Sequence, residues 1–445
     1  MGKKKTILAL LITALFLSLT RPAFLYPSFD WKVFVILSVL GFLFFYKITQ
    51  YLEIFKIRDK NSRTDIVFIC AFFVLLFVPT SKINTAEFDR RENRKLGVWP
   101  SLFVGGKVNT MYGREFENAL NDRFFGRRIL IRRFNQFKYK ISLKPDTERA
   151  YMGKENWLFT KFYDSQNRVR NATLYTQEEL DKMQHNLERI NDWAVKNNVQ
   201  VFVQLHPDKE SVYPEMLPKI EKVNPISKRE QLEESFKDFG NMHFAFSTND
   251  LIAAKKDGLV FCKSGTHETS FGKMMMYHNL IQKMKEHYPK LKPIEKEDVV
   301  FGKTIGCDKD IFVVMPLSEE KYGRENLSDT EILLKDPAPA LFKKEQRFTD
   351  STRFTDNITH FKREKSKTGL RVFMFTDSIS DQYKDWMSEH FDEGVVVFLG
   401  DGRNFNLPIY ADEIAAFKPN VLIIASVERF YSRFLYIDPP VEGKE

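Results

Sequence analysis

Arg371-Val372-Phe373-Met374-Phe375-Thr376-Asp377-Ser378 is a short run of aromatic and branched apolar residues that stops abruptly at a carboxylate and a hydroxyl. Such a run reads as a buried strand. Its polar end then falls at the carboxyl edge of a sheet, where open α/β folds gather their chemistry. A serine at that edge is a nucleophile only if a base reaches it. The histidine nominated is His267, far upstream in Lys263-Ser264-Gly265-Thr266-His267-Glu268. His206, at another strand end beside Asp208 and Lys209, is the rival base. The bland alternative is that Asp377-Ser378 only caps the next helix.

Outward from this run, residues 395–399 and 420–425 are two further apolar strands, separated by helical stretches at 382–391 and 411–417. Upstream, Thr176-Gln177-Glu178-Glu179 is a capping box. It opens a helix with Leu180, Met183, Leu187, Ile190 and Ala194 on one face, ending at Asn197-Asn198. A strand over 199–205 follows and ends in His206-Pro207-Asp208-Lys209. Residues 258–262 read as a short strand delivering Thr266 and His267. Ser270 or Thr269 then caps a helix whose Met274, Tyr277, Ile281 and Met284 read as core. Residues 219–237 read as a surface helix, and 300–369 as a loop-rich insertion. Strands alternating with helices predict an α/β fold with a parallel, doubly wound sheet.

The amino-terminal part reads differently. Three apolar runs, 7–19, 33–46 and 66–78, each reach a bilayer-spanning length once flanking residues are included, and two spans plus an interfacial segment is the alternative. Lys3, Lys4 and Lys5 precede the first, and Lys56, Arg58, Lys60 and Arg63 lie between the second and third. Positive charge marks the cytoplasmic side, so three spans place everything after Pro79 outside. The expected organisation is a multi-pass anchor at 1–80, a juxtamembrane segment at 81–150 and a catalytic α/β domain at 151–445, extracytoplasmic and beside the lipid bilayer.

With 68 basic against 59 acidic residues, the net charge of +9 is modest. There is no basic stripe with a reading module, so no nucleic-acid partner is expected. Cysteine and histidine spacing argues for no metal, and no cofactor is expected. Cys70 sits in an apolar run, while Cys262 and Cys307 can pair if the domain lies outside the cell.

Several pieces occur in a telling order: Glu92-Asn93-Arg94; Asp122-Arg123-Phe124 with Arg127; Gly153 before Trp157-Leu158-Phe159; Pro207-Asp208-Lys209; Val212-Tyr213-Pro214-Glu215 with Leu217-Pro218; Thr266-His267; Asp377-Ser378; and Val427-Glu428-Arg429. Together they resemble the SGNH-hydrolase-like family of alginate O-acetyltransferases, the AlgJ/AlgX type. The resemblance implies an SGNH-like sheet and transfer of acetyl groups to an extracellular polysaccharide. It implies a membrane-bound O-acyltransferase partner as acetyl donor. It also implies Ser378 as nucleophile and His267 as base. Asp377, Asp401, Gly402 and the Ser378 backbone N–H are then supporting or oxyanion groups, and Asp208, Lys209 and Arg429 lie near the sugar. One departure matters. The family's histidine loop reads Asp-Thr-His-Trp, whereas here Gly265 stands where the triad carboxylate belongs and Glu268 replaces the tryptophan. Asp377, Asp401 or Asp208 must substitute, or the chain is an impaired relative serving as glycan-binding or scaffold partner. A carbohydrate esterase is the third reading.

Overall fold

A computed structural model describes residues 83–89, 94–141, 146–147, 149–315, 317–348, 355–399 and 404–441. The chain divides into two compact units, Met1–Phe137 and Lys138–Glu445. In the first, a helix at Tyr112–Arg123 ends in a buried arginine. Arg123 donates to the carbonyls of Asn84, Ala86 and Gly97, while Asp122 accepts the Gly97 N–H.

The second unit begins with a turn at Lys154–Asn156 leading into a buried strand at Leu158–Thr160. Gly153 is needed for close approach, because a Cβ there would lie 2.3 Å from the Met216 carbonyl oxygen. Helix α1, Gln177–Asn197, starts at the expected capping box and ends where Asn198 turns left-handed at φ 54°. Strands β1 (Gln200–His206) and β2 (Met242–Phe246) follow, then helix α2 (Ser270–Lys285), whose first turn Thr269 caps. An antiparallel pair, β3 (Val299–Gly306) and β4 (Ser328–Leu334), comes next. The rest is β5 (Ala340–Phe348), β6 (Thr355–Arg363), β7 (Arg371–Thr376), β8 (Glu393–Phe398), helix α3 (Ala411–Phe417) and β9 (Val421–Val427).

Seven strands form one sheet in the order β5-β6-β8-β7-β9-β1-β2. The five from β8 to β2 are parallel, and β6 and β5 join antiparallel at the edge. Because strand side chains alternate faces, the apolar runs fill two cores at once. Val372 and Met374 of β7, Ile423 of β9 and Phe202 of β1 pack with Met274, Tyr277, Ile281 and Met284 of α2. Phe373, Phe375, Ile424 and Val203 pack on the other side with Met183, Leu187, Ile190 and Ala194 of α1. Helices therefore cover both faces, as expected for a doubly wound sheet.

Four expectations change. The region 300–369, where loops were expected, carries strands: β5 and β6 make the main sheet mixed, and β3 and β4 form a separate pair. These strands are charge-rich: β5 contains Lys343, Lys344 and Glu345, the composition an exposed edge uses against unwanted pairing. Residues 258–262 form no strand, only an isolated bridge between Phe261 and Glu268. The 219–237 helix shrinks to Lys228–Ser235, opened by the Ser227–Glu230 capping box. The 382–391 helix is a run of 3₁₀ turns at Ser380–Glu389. The three apolar runs read as an anchor lie outside the described residues, and no described helix is long and apolar enough to cross a membrane.

Candidate active site

The crossover after β1 leaves towards β2 and the one after β7 leaves towards β8, with β9 between their origins. Loops that diverge in this way open a crevice at the carboxyl edge. Asp377 and Ser378 sit there, directly after β7. Asp377 is fully buried. One of its oxygens accepts the Ile379 N–H at 3.1 Å, and the other accepts the Val427 N–H at 2.8 Å, with Arg433 3.9 Å away. Its carboxylate thus shapes the serine turn and ties it to the end of β9. Ser378 is half-buried.

His267 rides on a narrow loop closed by the Cys262 N–H donating to the His267 carbonyl at 3.0 Å. Lys209, just past β1, props this loop from beneath. Its ammonium donates to the carbonyls of Gly265 (2.5 Å) and Cys262 (3.2 Å) and lies above the Trp157 and Phe159 rings. Burial pulls this lysine down to about 8. Strands β7 and β1 are two inter-strand spacings apart, about 10 Å, and the serine turn and Lys209, which holds the histidine loop, follow their carboxyl ends. Helix α2, which leaves the histidine loop, also packs on the segment leaving the serine: Tyr277 Oη donates to the Trp386 carbonyl at 3.3 Å.

The carboxylate thought missing at Gly265 comes from elsewhere. His267 Nδ1 is 2.7 Å from Asp308 Oδ2, which also accepts the backbone N–H groups of Thr266 (3.1 Å) and His267 (3.2 Å). Of the nominated substitutes, Asp377 is spent on the serine turn and Asp208 is ion-paired; Asp401 lies outside the described residues, as does Gly402. Cys262 and Cys307 form a disulfide with Cα atoms 5.8 Å apart, which places Asp308 beside the histidine loop. Asp308 was missed because it lies 41 residues from His267 in the chain. The one sequence signal was the adjacency Cys307-Asp308, informative only once the cysteine pairing is assumed.

Burial works against a charged imidazole at His267, but the Asp308 hydrogen bond and charge, with Asp310 and Glu268 nearby, outweigh it and raise its proton affinity. Burial likewise opposes charge on Asp308, yet the His267 bond and charge hold it well below the usual carboxylate range. Asp310 is raised, by burial and then by Asp308. Glu268 makes no hydrogen bond to this pair. Both its oxygens are buried with no hydrogen-bond partner among the described residues, and burial pushes it up to about 7.

The residues expected near the sugar are tied into ion pairs and hydrogen bonds with the chain itself. Asp208 is 3 % exposed and pairs with Arg429 at 2.5 Å and Arg168 at 3.0 Å. Glu428 accepts from the Asp208 N–H and the Ser211 hydroxyl, which locks the ends of β9 and β1 together. His206 is wholly buried, bonded through Nδ1 to Ser247, and burial pushes it down to about 3, so it is a neutral core residue and no base.

Two described clusters have metal-ligand chemistry, His267–Asp308–Asp310 and Asp238–His243–His287. In the first, the lone pairs are committed to Thr266, His267 and backbone donors. In the second, the Lys283 ammonium already stands 2.7 Å from Asp238.

Residues 150–349, just under half of the chain, match the family described as SGNH hydrolase-like domain, acetyltransferase AlgX. The chain is similar to the AlgX-type SGNH hydrolase-like acetyltransferases. The matched stretch contains His267 and Asp308 and stops before Ser378. Its central, mostly parallel sheet is the SGNH-like α/β fold expected. Three solved structures are similar. The O-acetyltransferase domain of Pseudomonas putida AlgJ has 15% identity and a TM-score of 0.41, covering 65% of this chain and 93% of its own. A DHHW family protein from Eubacterium siraeum has 12% identity and a TM-score of 0.45, covering 68% and 98%. PatB1 from Bacillus cereus has 11% identity and a TM-score of 0.44, covering 63% and 97%. No curated protein sequence matches the chain.

Proposed function

We propose that this chain is an O-acetyltransferase that passes an acetyl group through Ser378 to a hydroxyl of a cell-surface or secreted polysaccharide. The observation that carries the reading is an imidazole held by a carboxylate, His267 on Asp308, at the same sheet edge as the Asp377-Ser378 turn. With its Nδ1 proton committed to Asp308, His267 keeps the Nε2 lone pair for a substrate-side proton.

His267 removes the Ser378 proton as the hydroxyl oxygen attacks the acetyl carbonyl, and the resulting oxyanion needs fixed donors. The Ser378 backbone N–H is the donor proposed for that role. His267 then protonates the leaving group, giving an acetyl ester on Ser378. In the second half a sugar hydroxyl gives its proton to His267, attacks the ester and leaves acetylated. The impaired-relative reading rests on a missing carboxylate, and the Asp308 contact with His267 supports the active reading over it. The donor is a membrane-bound O-acyltransferase that carries acetyl across the bilayer. The multi-pass anchor at 1–80 holds this domain outside, a placement supported by the disulfide, since such bonds persist in oxidising compartments.

The test is acetyl transfer from a chromogenic acetyl ester to glycan acceptors by the purified full chain. Ser378→Ala and His267→Ala are expected to abolish both turnover and the acetylated Ser378 peptide. Turnover equal to that of the Ser378→Ala protein would overturn the reading, and release of acetate unaffected by any acceptor would make it an esterase instead.

A further inference from the structure

We propose that Asp308 is the positioning acid of this site, delivered by a second loop into the space that Gly265 leaves empty and fixed there by the Cys262–Cys307 crosslink. Its catalytic consequence rests on the acyl-transfer reading above; its geometry does not.

Gly265 is required for room. A Cβ at 265 would lie 2.2 Å from Asp308 Oδ2, 2.5 Å from its Cγ and 2.6 Å from its carbonyl oxygen. No side chain fits while Asp308 is in place. The volume beside His267 that an acid on the histidine loop would fill is thus filled by an acid from the other loop. The vacancy at 265 and the carboxylate at 308 are two halves of one exchange.

The incoming carboxylate is well seated. Oδ2 takes the imidazole Nδ1 and two successive backbone N–H groups, from Thr266 and His267, while Oδ1 takes the Asp310 N–H at 3.2 Å. Those donors belong to the histidine loop itself, so Asp308 fixes the loop's backbone and its ring in one arrangement. The two loops are joined at further points. Ser264 Oγ donates to the Asp308 carbonyl at 2.6 Å, and the Phe312 N–H donates to the Ser264 carbonyl at 2.9 Å. Thr266 Oγ1 donates to Asp310 at 2.6 Å. The disulfide sets the approach, since Cys307 directly precedes the acid and Cys262 lies five residues before the histidine.

A purely structural Asp308 would stiffen the loop without acting on the ring's charge. The two roles separate in full-chain variants with two readouts: acetyl transfer as a function of pH, and the pH dependence of His267 carbethoxylation by diethylpyrocarbonate, followed by peptide mass. The second needs no catalysis. Asp308→Asn keeps an oxygen for the backbone donors and removes the charge. It is expected to shift the His267 modification profile to lower pH and to cut transfer by about 10⁴-fold, the size of such a loss in a serine triad. Gly265→Asp alone should fail through its clash with Asp308. The exchanged pair Gly265→Asp/Asp308→Gly must also clear the 308 carbonyl, so it is made with and without Cys262→Ser/Cys307→Ser. Recovery of the profile and of part of the rate in either background supports the exchange. An unchanged profile in Asp308→Asn overturns the proposal, whatever happens to the rate. If the profile shifts but Ser378→Ala leaves transfer intact, the acid–base pair stands and the acyl-enzyme reading fails.

Discussion

Lys209 shows how much of this site is support. A lysine 2 % exposed is costly to bury unless its donors are used, and here they are spent on the carbonyls that shape the histidine loop. Replacing it with methionine keeps the bulk against Trp157 and Phe159 but leaves those carbonyls unpaired, a loss of about 1–3 kcal/mol. Lys209→Met should therefore unfold at lower denaturant and lower kcat more than it raises KM. Denaturant titration and steady-state kinetics read these two effects, and an unchanged midpoint would mean that the prop is idle. The His267–Asp308 pair makes a second prediction at this scale. His267 is raised when folded, so its contribution is full below the ordinary 6.5 and fades as pH climbs through the higher folded value. Asp308 is depressed, so its contribution is full above the ordinary 3.8 and fades as pH falls towards its lower folded value. The stability gap between wild type and Asp308→Asn should be widest between those two pH values and narrow on both sides. A gap independent of pH would show that the pair carries no charge interaction.

Among elements, legibility followed burial, except at β2, which is buried but broken up by His243 and was not foreseen. Strands β1, β7, β8 and β9 announced themselves because both faces are covered, which leaves near-continuous apolar runs such as Val372 to Phe375. Helix α1 was readable from its cap and spacing together. Edge strand β5 and its neighbour β6 were not, because their many charged and polar residues read like a loop. The same reason hid the acid. Asp308 lies in a polar connection after β3, and only the folded chain brings it to Gly265. The pairing of Asp208 with Arg429 and Arg168 was hidden for a related cause, since a carboxylate at a strand end looks alike in sequence whatever it faces. The crosslink has a measurable weight of its own. It closes a 45-residue separation, and the chain-entropy model assigns such a loop about 4 kcal/mol. The Cys262→Ser/Cys307→Ser protein should lose stability of that order and lose acetyl transfer more steeply than stability, because Asp308 is what the crosslink positions. Full activity at a temperature where that variant stays folded would refute the coupling of crosslink to site.

For the whole molecule, two unrelated lines point to the same side of the membrane. On the proposed three-span anchor, the lysines and arginines before the first apolar run and between the second and third would lie inside, and the rest of the chain would be exported. Independently, the site is assembled around a disulfide, a bond that reducing cytoplasm does not maintain. The agreement matters for mechanism, because a cytoplasmic domain would lack both the crosslink that seats Asp308 and access to an exported glycan. The chain has three cysteines, so with Cys262 and Cys307 joined, Cys70 has no partner left in the chain. Cells lysed in denaturant with a bulky maleimide should show one modified thiol per chain without reductant and three after reduction. A Cys70→Ser chain should show none and then two. Three modified thiols without reductant would place the domain in a reducing compartment, and with it would go the exported acetyl-transfer account.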